Sequence, residues 1–93
     1  MEIQHQQHGK RGAFFIEQDG DWIAEMTYVS TGDGEITIDH TEIDESLRGK
    51  GVGYDLIEEV VKYARTEKLK IKATCPFAKK ILDKSDDYED VLA

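Results

Sequence analysis

SLRGKGVGYDLIEEV, residues Ser46 to Val60, places Gly49, Gly51 and Gly53 directly before an amphipathic helical run. Glycine is a poor way to begin a helix, costing roughly 1 kcal/mol per position relative to alanine. Arg48 and Lys50 add positive charge where the helix dipole favours acids. The chain carries 20 acidic against 12 basic residues, a net charge of -8, so these cations are a local choice. A helix N-terminus exposes unpaired N–H groups and partial positive charge. Glycines let a bulky anion approach that backbone, and the two cations add charge-assisted hydrogen bonds. The composition of the stretch therefore suits a phosphate or pyrophosphate.

Downstream of the glycines, Leu56, Ile57, Val60, Val61 and Ala64 form one apolar stripe, which predicts a helix from Gly51 to about Lys68. Residues 69–75, LKIKATC, return to alternation and predict a strand. Upstream, Asp19-Gly20 and the TGDG of residues 31–34 mark two tight turns joining three strands. Loops this short make those strands antiparallel, whereas the long helix allows a parallel crossover between the third and fourth. The third strand has a phase conflict. Ile36 and Ile38 share a face with His40 and Glu42, which leaves Ile43 on the opposite one. A β-bulge near residues 40–42 would restore the phase. Pro76 suits the first position of a second helix, to about Asp83. The final KSDDYEDVLA reads as an acidic tail, loosely ordered except where Tyr88 and Val91 pack. The expected fold class is α/β, a mixed sheet of four main strands with one long and one short helix.

Ninety-three residues make a single small domain, residues 1–93. Its acidity disfavours nucleic acid as a partner, which needs a basic footprint. Cys75 is the sole cysteine, so no internal disulfide forms. No apolar segment of signal or membrane-spanning length is present, which leads to the expectation of a cytoplasmic protein without membrane contact. The acids at 86, 87, 89 and 90 read as a solvated face rather than a metal site.

Two phosphate-binding patterns fail. The P-loop run G-x-x-x-x-G-K-[ST] is absent, and the dinucleotide fingerprint G-x-G-x-x-G differs from the G-x-G-x-G found here. Arg48, Gly51 and Val52-Gly53 instead fit R/Q-x-x-G-x-G/A, and the stretch resembles the acetyl-CoA-binding motif of the GNAT acetyltransferase superfamily. The resemblance covers about residues 36–82. With HTEI, LRGKGVG and CPF in so short a chain, it looks like a minimal subfamily of small YjdJ-like proteins, and the expected fold is a truncated GNAT-like one.

The resemblance implies that Arg48 and the amides of Gly49, Lys50, Gly51, Val52, Gly53 and Tyr54 hold the pyrophosphate of CoA. It implies that the N–H of Ile43 faces the acetyl carbonyl, and that the pantetheine arm pairs with the backbone around Glu42 to Asp44. The implied activity is acetyl-CoA-dependent transfer to an amine acceptor, such as a cationic small molecule or a protein lysine. The alternative is a CoA-binding regulatory module without transfer. Two departures from the family stand out. In its N-x-x-A-x-x-x-Y pattern Cys75 takes the asparagine position, Ala78 fits, and Leu82 replaces the tyrosine acid. The N-terminal helices that build an acceptor pocket are missing, so a homodimer or partner protein would complete it. His40, on the core-side face by alternation, and Glu42 are candidate bases. Cys75, near the cap of the second helix, is a candidate thiol acid, acetyl acceptor, mixed-disulfide partner of CoA or packing residue. His5 and His8 fall in an N-terminus expected to be mobile.

Overall fold

The structure, a computed structural model, describes residues 2–93. Five strands form one sheet in the order β1 (Gln4–His8), β2 (Arg11–Gln18), β3 (Asp21–Gly32), β4 (Glu35–Ile43) and β5 (Lys70–Ala73). The first four are antiparallel, and β5 runs parallel to β4. Helix α1 (Val52–Glu67) makes the crossover, and α2 (Pro76–Lys84) follows β5. The mixed sheet and β-α-β unit agree with the expectation, and β1 is an addition to it.

The core lies on one face of the sheet. Leu56, Ile57, Val60, Val61 and Ala64 of α1 are completely buried against Phe14, Met26, Tyr28, Ile36, Ile38 and Ile71. Each large aliphatic side chain there stabilises the fold by about 1.5–3 kcal/mol. Lys68, in a left-handed conformation with φ 58°, ends α1, and the N–H of Leu69 closes the last turn on the Ala64 carbonyl at 2.8 Å.

Two terminal expectations are corrected. The N-terminus is not loose: β1 pairs in unbroken register with β2 from Gln4↔Phe15 to His8↔Arg11. His5 stacks on Phe14 with ring centroids 4.1 Å apart, and its Nε2 lies 2.6 Å from the Tyr28 hydroxyl. The C-terminal segment is also held. Residues Asp86–Val91 form a 3-10 turn, Tyr88 and Val91 are buried, and Leu92 bridges Ile71. Arg65 binds both carboxylate oxygens of Asp90 at 3.0 Å and the Asp87 carbonyl at 2.7 Å.

The feature that builds the site is a change of register in β4. Thr27 opposes His40 while Tyr28 opposes Ile38, so Asp39 is the extra residue of a bulge. Its carboxylate is pinned by Thr27 Oγ1 at 2.6 Å and Arg11 at 3.0 Å. The bulge comes one residue earlier than the alternation suggested, and this reverses the two faces beyond it. Thr41 and Ile43 turn to the helix side. His40 and Glu42 turn to the uncovered side, opposite Thr27 and Glu25, which corrects the core-side placement of His40.

Candidate active site

Beyond the bulge, β4 has a partner on one side only. β5 pairs with Glu35–Ile38 and no further, because the N–H groups of Thr74 and Cys75 both donate to the Ile38 carbonyl as the chain turns into α2. On the other side, Asp44 N–H donates to the Ile23 carbonyl at 2.8 Å, and the ladder continues through Glu42↔Glu25 and His40↔Thr27. Backbone groups alternate along a strand, so those of Thr41 and Ile43 point to the open edge. A strand edge of this kind can pair with another extended, amide-bearing chain.

The start of α1 faces that edge across a groove of about 560 Å³, lined by Thr41, Ile43, Leu47, Arg48, Gly49, Gly51, Val52, Gly53, Tyr54 and Phe77. Gly49 and Gly51 hold φ of 78° and 74°, the left-handed region where a side chain is strained. Gly51 caps α1 without a side-chain acceptor. Among the described residues, no backbone carbonyl outside α1 takes the N–H of Val52, Gly53 or Tyr54, and the first pairing is Asp55 N–H to the Gly51 carbonyl. The helix start thus offers three free N–H groups and the dipole's positive end to the groove.

Arg48 follows a 3-10 turn, Glu45–Leu47, that Asp44 caps by accepting from Ser46 N–H and its hydroxyl. Those bonds hold the Asp44 carboxyl below its usual range. Lys50 differs from its neighbours. Its N–H is taken by the Leu47 carbonyl at 3.3 Å, and the residue does not line the groove. Its expected amide contact is therefore corrected; only its mobile side chain is available to an anion.

Cys75 stands behind Thr41, with Sγ 3.4 Å from Thr41 Oγ1 at the N-terminus of α2. Burial pushes its thiol up. The hydrogen bond shared with the Thr41 hydroxyl and those from the amides of Ala78, Phe77 and Thr41 outweigh that, so the net shift is downward. His40 and Glu42 lie together on the other face, Nε2 to Oε2 3.4 Å, both well exposed and outside the groove lining. Leu82, at the position of the missing tyrosine, is buried core. The groove therefore brings together Ile43, Arg48, the three glycines, Val52 and Tyr54, and leaves the two candidate bases behind the sheet.

Sequence reading missed Thr41, Leu47 and Phe77. The register shift at Asp39 is what brings Thr41 to the groove. Phe77 follows the proline that starts α2, and the sequence carries no signal that it would be 42% exposed at the groove.

Residues 13–91 match the family model described as GCN5-related N-acetyl-transferase. The NMR solution structure of a GCN5-like protein from Staphylococcus aureus is 40% identical, with 99% of this chain and 87% of that one covered at a TM-score of 0.75. A ribosomal-protein-alanine N-acetyltransferase from Brucella melitensis shares the fold at 18% identity, 84% and 64% coverage and a TM-score of 0.66. The aminoglycoside N-acetyltransferase AAC(6')-Iy in complex with CoA does so at 13% identity, 99% and 96% coverage and a TM-score of 0.67. No curated protein matches the sequence. The family match over most of the chain, and a 40% identical relative aligned along nearly all of it, make this chain a member of the GCN5-related N-acetyltransferase family.

Proposed function

We propose that this chain binds acetyl-CoA in the groove and transfers the acetyl group to an amine. One observation carries the reading: the open edge of β4 and the uncapped start of α1 line the same groove. Pyrophosphate suits the free N–H groups of Val52, Gly53 and Tyr54, with Arg48 alongside. The pantetheine arm carries amides, and the Thr41 carbonyl and the backbone of Ile43 offer it the pairing that β5 no longer makes. Apolar walls from Ile43, Leu47, Val52 and Phe77 suit its alkyl parts. The CoA complex of AAC(6')-Iy supports this assignment by likeness of fold.

In the transfer, the amine nitrogen attacks the thioester carbon, the C–S bond breaks, and the proton lost by nitrogen is balanced by one gained at sulfur. The Ile43 N–H donates to the oxygen as it becomes negative. Cys75 protonates the leaving sulfur through Thr41: the thiol donates to Thr41 Oγ1, the Thr41 hydroxyl donates onward, and the Cys75 thiolate regains its proton from water. A lowered thiol pKa suits that task near neutrality. The amine releases its proton to water, because the groove is open and His40 and Glu42 face the other side of the sheet. A cationic acceptor, such as a polyamine or protein lysine, fits the net charge of -8.

A second reading is favoured by a specific observation. With Leu82 at the tyrosine position and no candidate base in the groove, the chain would bind CoA without transferring. Calorimetry with acetyl-CoA, followed by a turnover screen on an amine and peptide panel that detects free thiol, separates them. Binding with transfer above hydrolysis supports the enzyme. Binding with no transfer to any acceptor leaves the CoA module, and no binding refutes both.

A further inference from the structure

The three glycines of the loop do different things. A Cβ added to Gly49 or Gly51 would meet nothing within 4 Å; these two are needed for their left-handed backbone. Gly53 has ordinary helical geometry, and an added Cβ would lie 2.2 Å from Cζ and 2.6 Å from Cε2 of Phe77. Ile43 Cδ1 would be a further 3.4 Å neighbour. Gly53 is therefore filled from above by an aromatic ring. The same device occurs in the core, where a Cβ on Gly12 would lie 2.2 Å from Cζ of Tyr28.

Resting on the acetyl-CoA reading above, we propose that Gly53 is the seat of the Phe77 ring, and that Phe77 is a positioning residue that sets the width of the groove. The ring bridges the starts of the two helices: Phe77 is the second residue of α2, and Gly53 the second of α1. Phe77 and Gly53 line the groove together, so the ring forms part of its wall. The ring is 42% exposed, and the hollow left by the missing side chain admits its Cζ–Cε2 edge against α1. With a methyl group in that hollow the ring must rotate. Turning inward, it enters the space between Ile43 and Tyr54; turning outward, it removes the wall. Either movement weakens binding, while the N–H groups of the helix start stay unchanged.

This differs from a glycine kept bare so that pyrophosphate can approach, and the difference is testable by suppression. Acetyl-CoA affinity is measured by calorimetry for wild type, Gly53→Ala, Phe77→Leu and the double variant. Gly53→Ala is expected to bind about 30-fold more weakly, and Phe77→Leu about 5-fold, through the thinner wall. The double variant is expected to return to within about 3-fold of Phe77→Leu, since leucine clears the seat. In turnover, Gly53→Ala raises KM for acetyl-CoA and leaves kcat within about 2-fold, because only the positioning of the cosubstrate has changed. A double variant as weak as Gly53→Ala, or a Gly53→Ala that binds like wild type, overturns the proposal. The seat also has a readout independent of CoA: the Gly53 Hα proton that points at the ring edge is expected downfield in the wild-type NMR spectrum and at an ordinary shift in Phe77→Leu. If that ring-current shift is absent, the seat is wrong. If the shift is present but wild type binds no acetyl-CoA, the groove assignment fails instead, and the width-setting role fails with it.

Discussion

Four helical segments begin among the described residues, and they begin in two ways. The two 3-10 turns have oxygen caps: the Asp44 carboxylate accepts from Ser46, and the Ser85 hydroxyl accepts from Asp87 at 3.1 Å. The two α-helices, which need caps more, have no conventional one. Gly51 has no side chain to offer α1, and Cys75 gives α2 only sulfur. Both uncapped starts contribute to the groove. At α1 the chain thus leaves helix N–H groups available where a ligand is expected, whereas at α2 the amides of Phe77 and Ala78 turn to the Cys75 sulfur. Stability given up at one end is recovered by packing, since α1 buries five residues completely.

The contrast breaks first at Gly51. Gly51→Asp would install the missing cap and set a carboxylate among the N–H groups. Calorimetry should show acetyl-CoA affinity down about 100-fold, equivalent to roughly 3 kcal/mol. Gly51→Asn, which tolerates the left-handed backbone and adds no charge, should lose about 10-fold. Equal losses would show that charge at the helix start is irrelevant to binding.

Cys75 sharpens the contrast at the second helix. Cys75→Ala should lower kcat about 10-fold or more with KM for acetyl-CoA little changed. In wild type, iodoacetamide modification should follow a pH midpoint below the roughly 8.5 of a free thiol. The sign for stability follows. A depressed folded pKa favours the thiolate, so its contribution is fully present above the free-thiol pKa and is lost as pH falls through the folded value. Denaturation of wild type should therefore gain stability relative to Cys75→Ala on going from pH 7 to 9. An alkylation midpoint above 8.5 would sink the thiol assignment.

Much of this was legible in the sequence, and the failures have physical causes. The stripe from Leu56 to Ala64 and the hairpin at Asp19-Gly20 are strong periodic and turn signals, and the structure follows them. Register was the weak point. Ile43 revealed that a residue had to be inserted, but alternation does not say where. The side-chain bonds from Thr27 and Arg11 select Asp39, and they span 12 and 28 residues of chain. The one-residue difference moved His40 out of the site and brought Thr41 in. QHQQH hid β1 because none of its residues is apolar; His5 packs through the flat face of its ring, as an aromatic would. The acidic C-terminus read as loose because composition does not reveal that Arg65 waits for Asp90.

The conventional caps make the smaller predictions. Ser85→Ala should cost about 1 kcal/mol in urea denaturation and leave acetyl-CoA affinity unchanged. Arg65→Met, which frees the C-terminal turn from Asp90, should lower Tm slightly, again with no change in affinity. A binding defect in either would mean that the two ends of the molecule are coupled and the division between structural and ligand-facing caps is false.

The bulge at Asp39 acts on its strand as a one-letter insertion acts on a reading frame. Residues before it answer to the core, and residues after it are read out on the opposite parity. This separates two kinds of selection within nine residues of β4. Ile36 and Ile38 pack in the core, while Thr41 and Ile43 face the groove and His40 and Glu42 the solvent. By the same logic, what would exchange the faces is straightening the bulge with Asp39 kept in the ladder: Glu42 would then turn toward the groove and Ile43 outward. Deleting Asp39 removes only the extra residue, so His40 follows Ile38 in ordinary alternation and Thr41 and Ile43 keep their face. A small acyltransferase scaffold built this way can change what it presents to an acceptor without touching what keeps it folded.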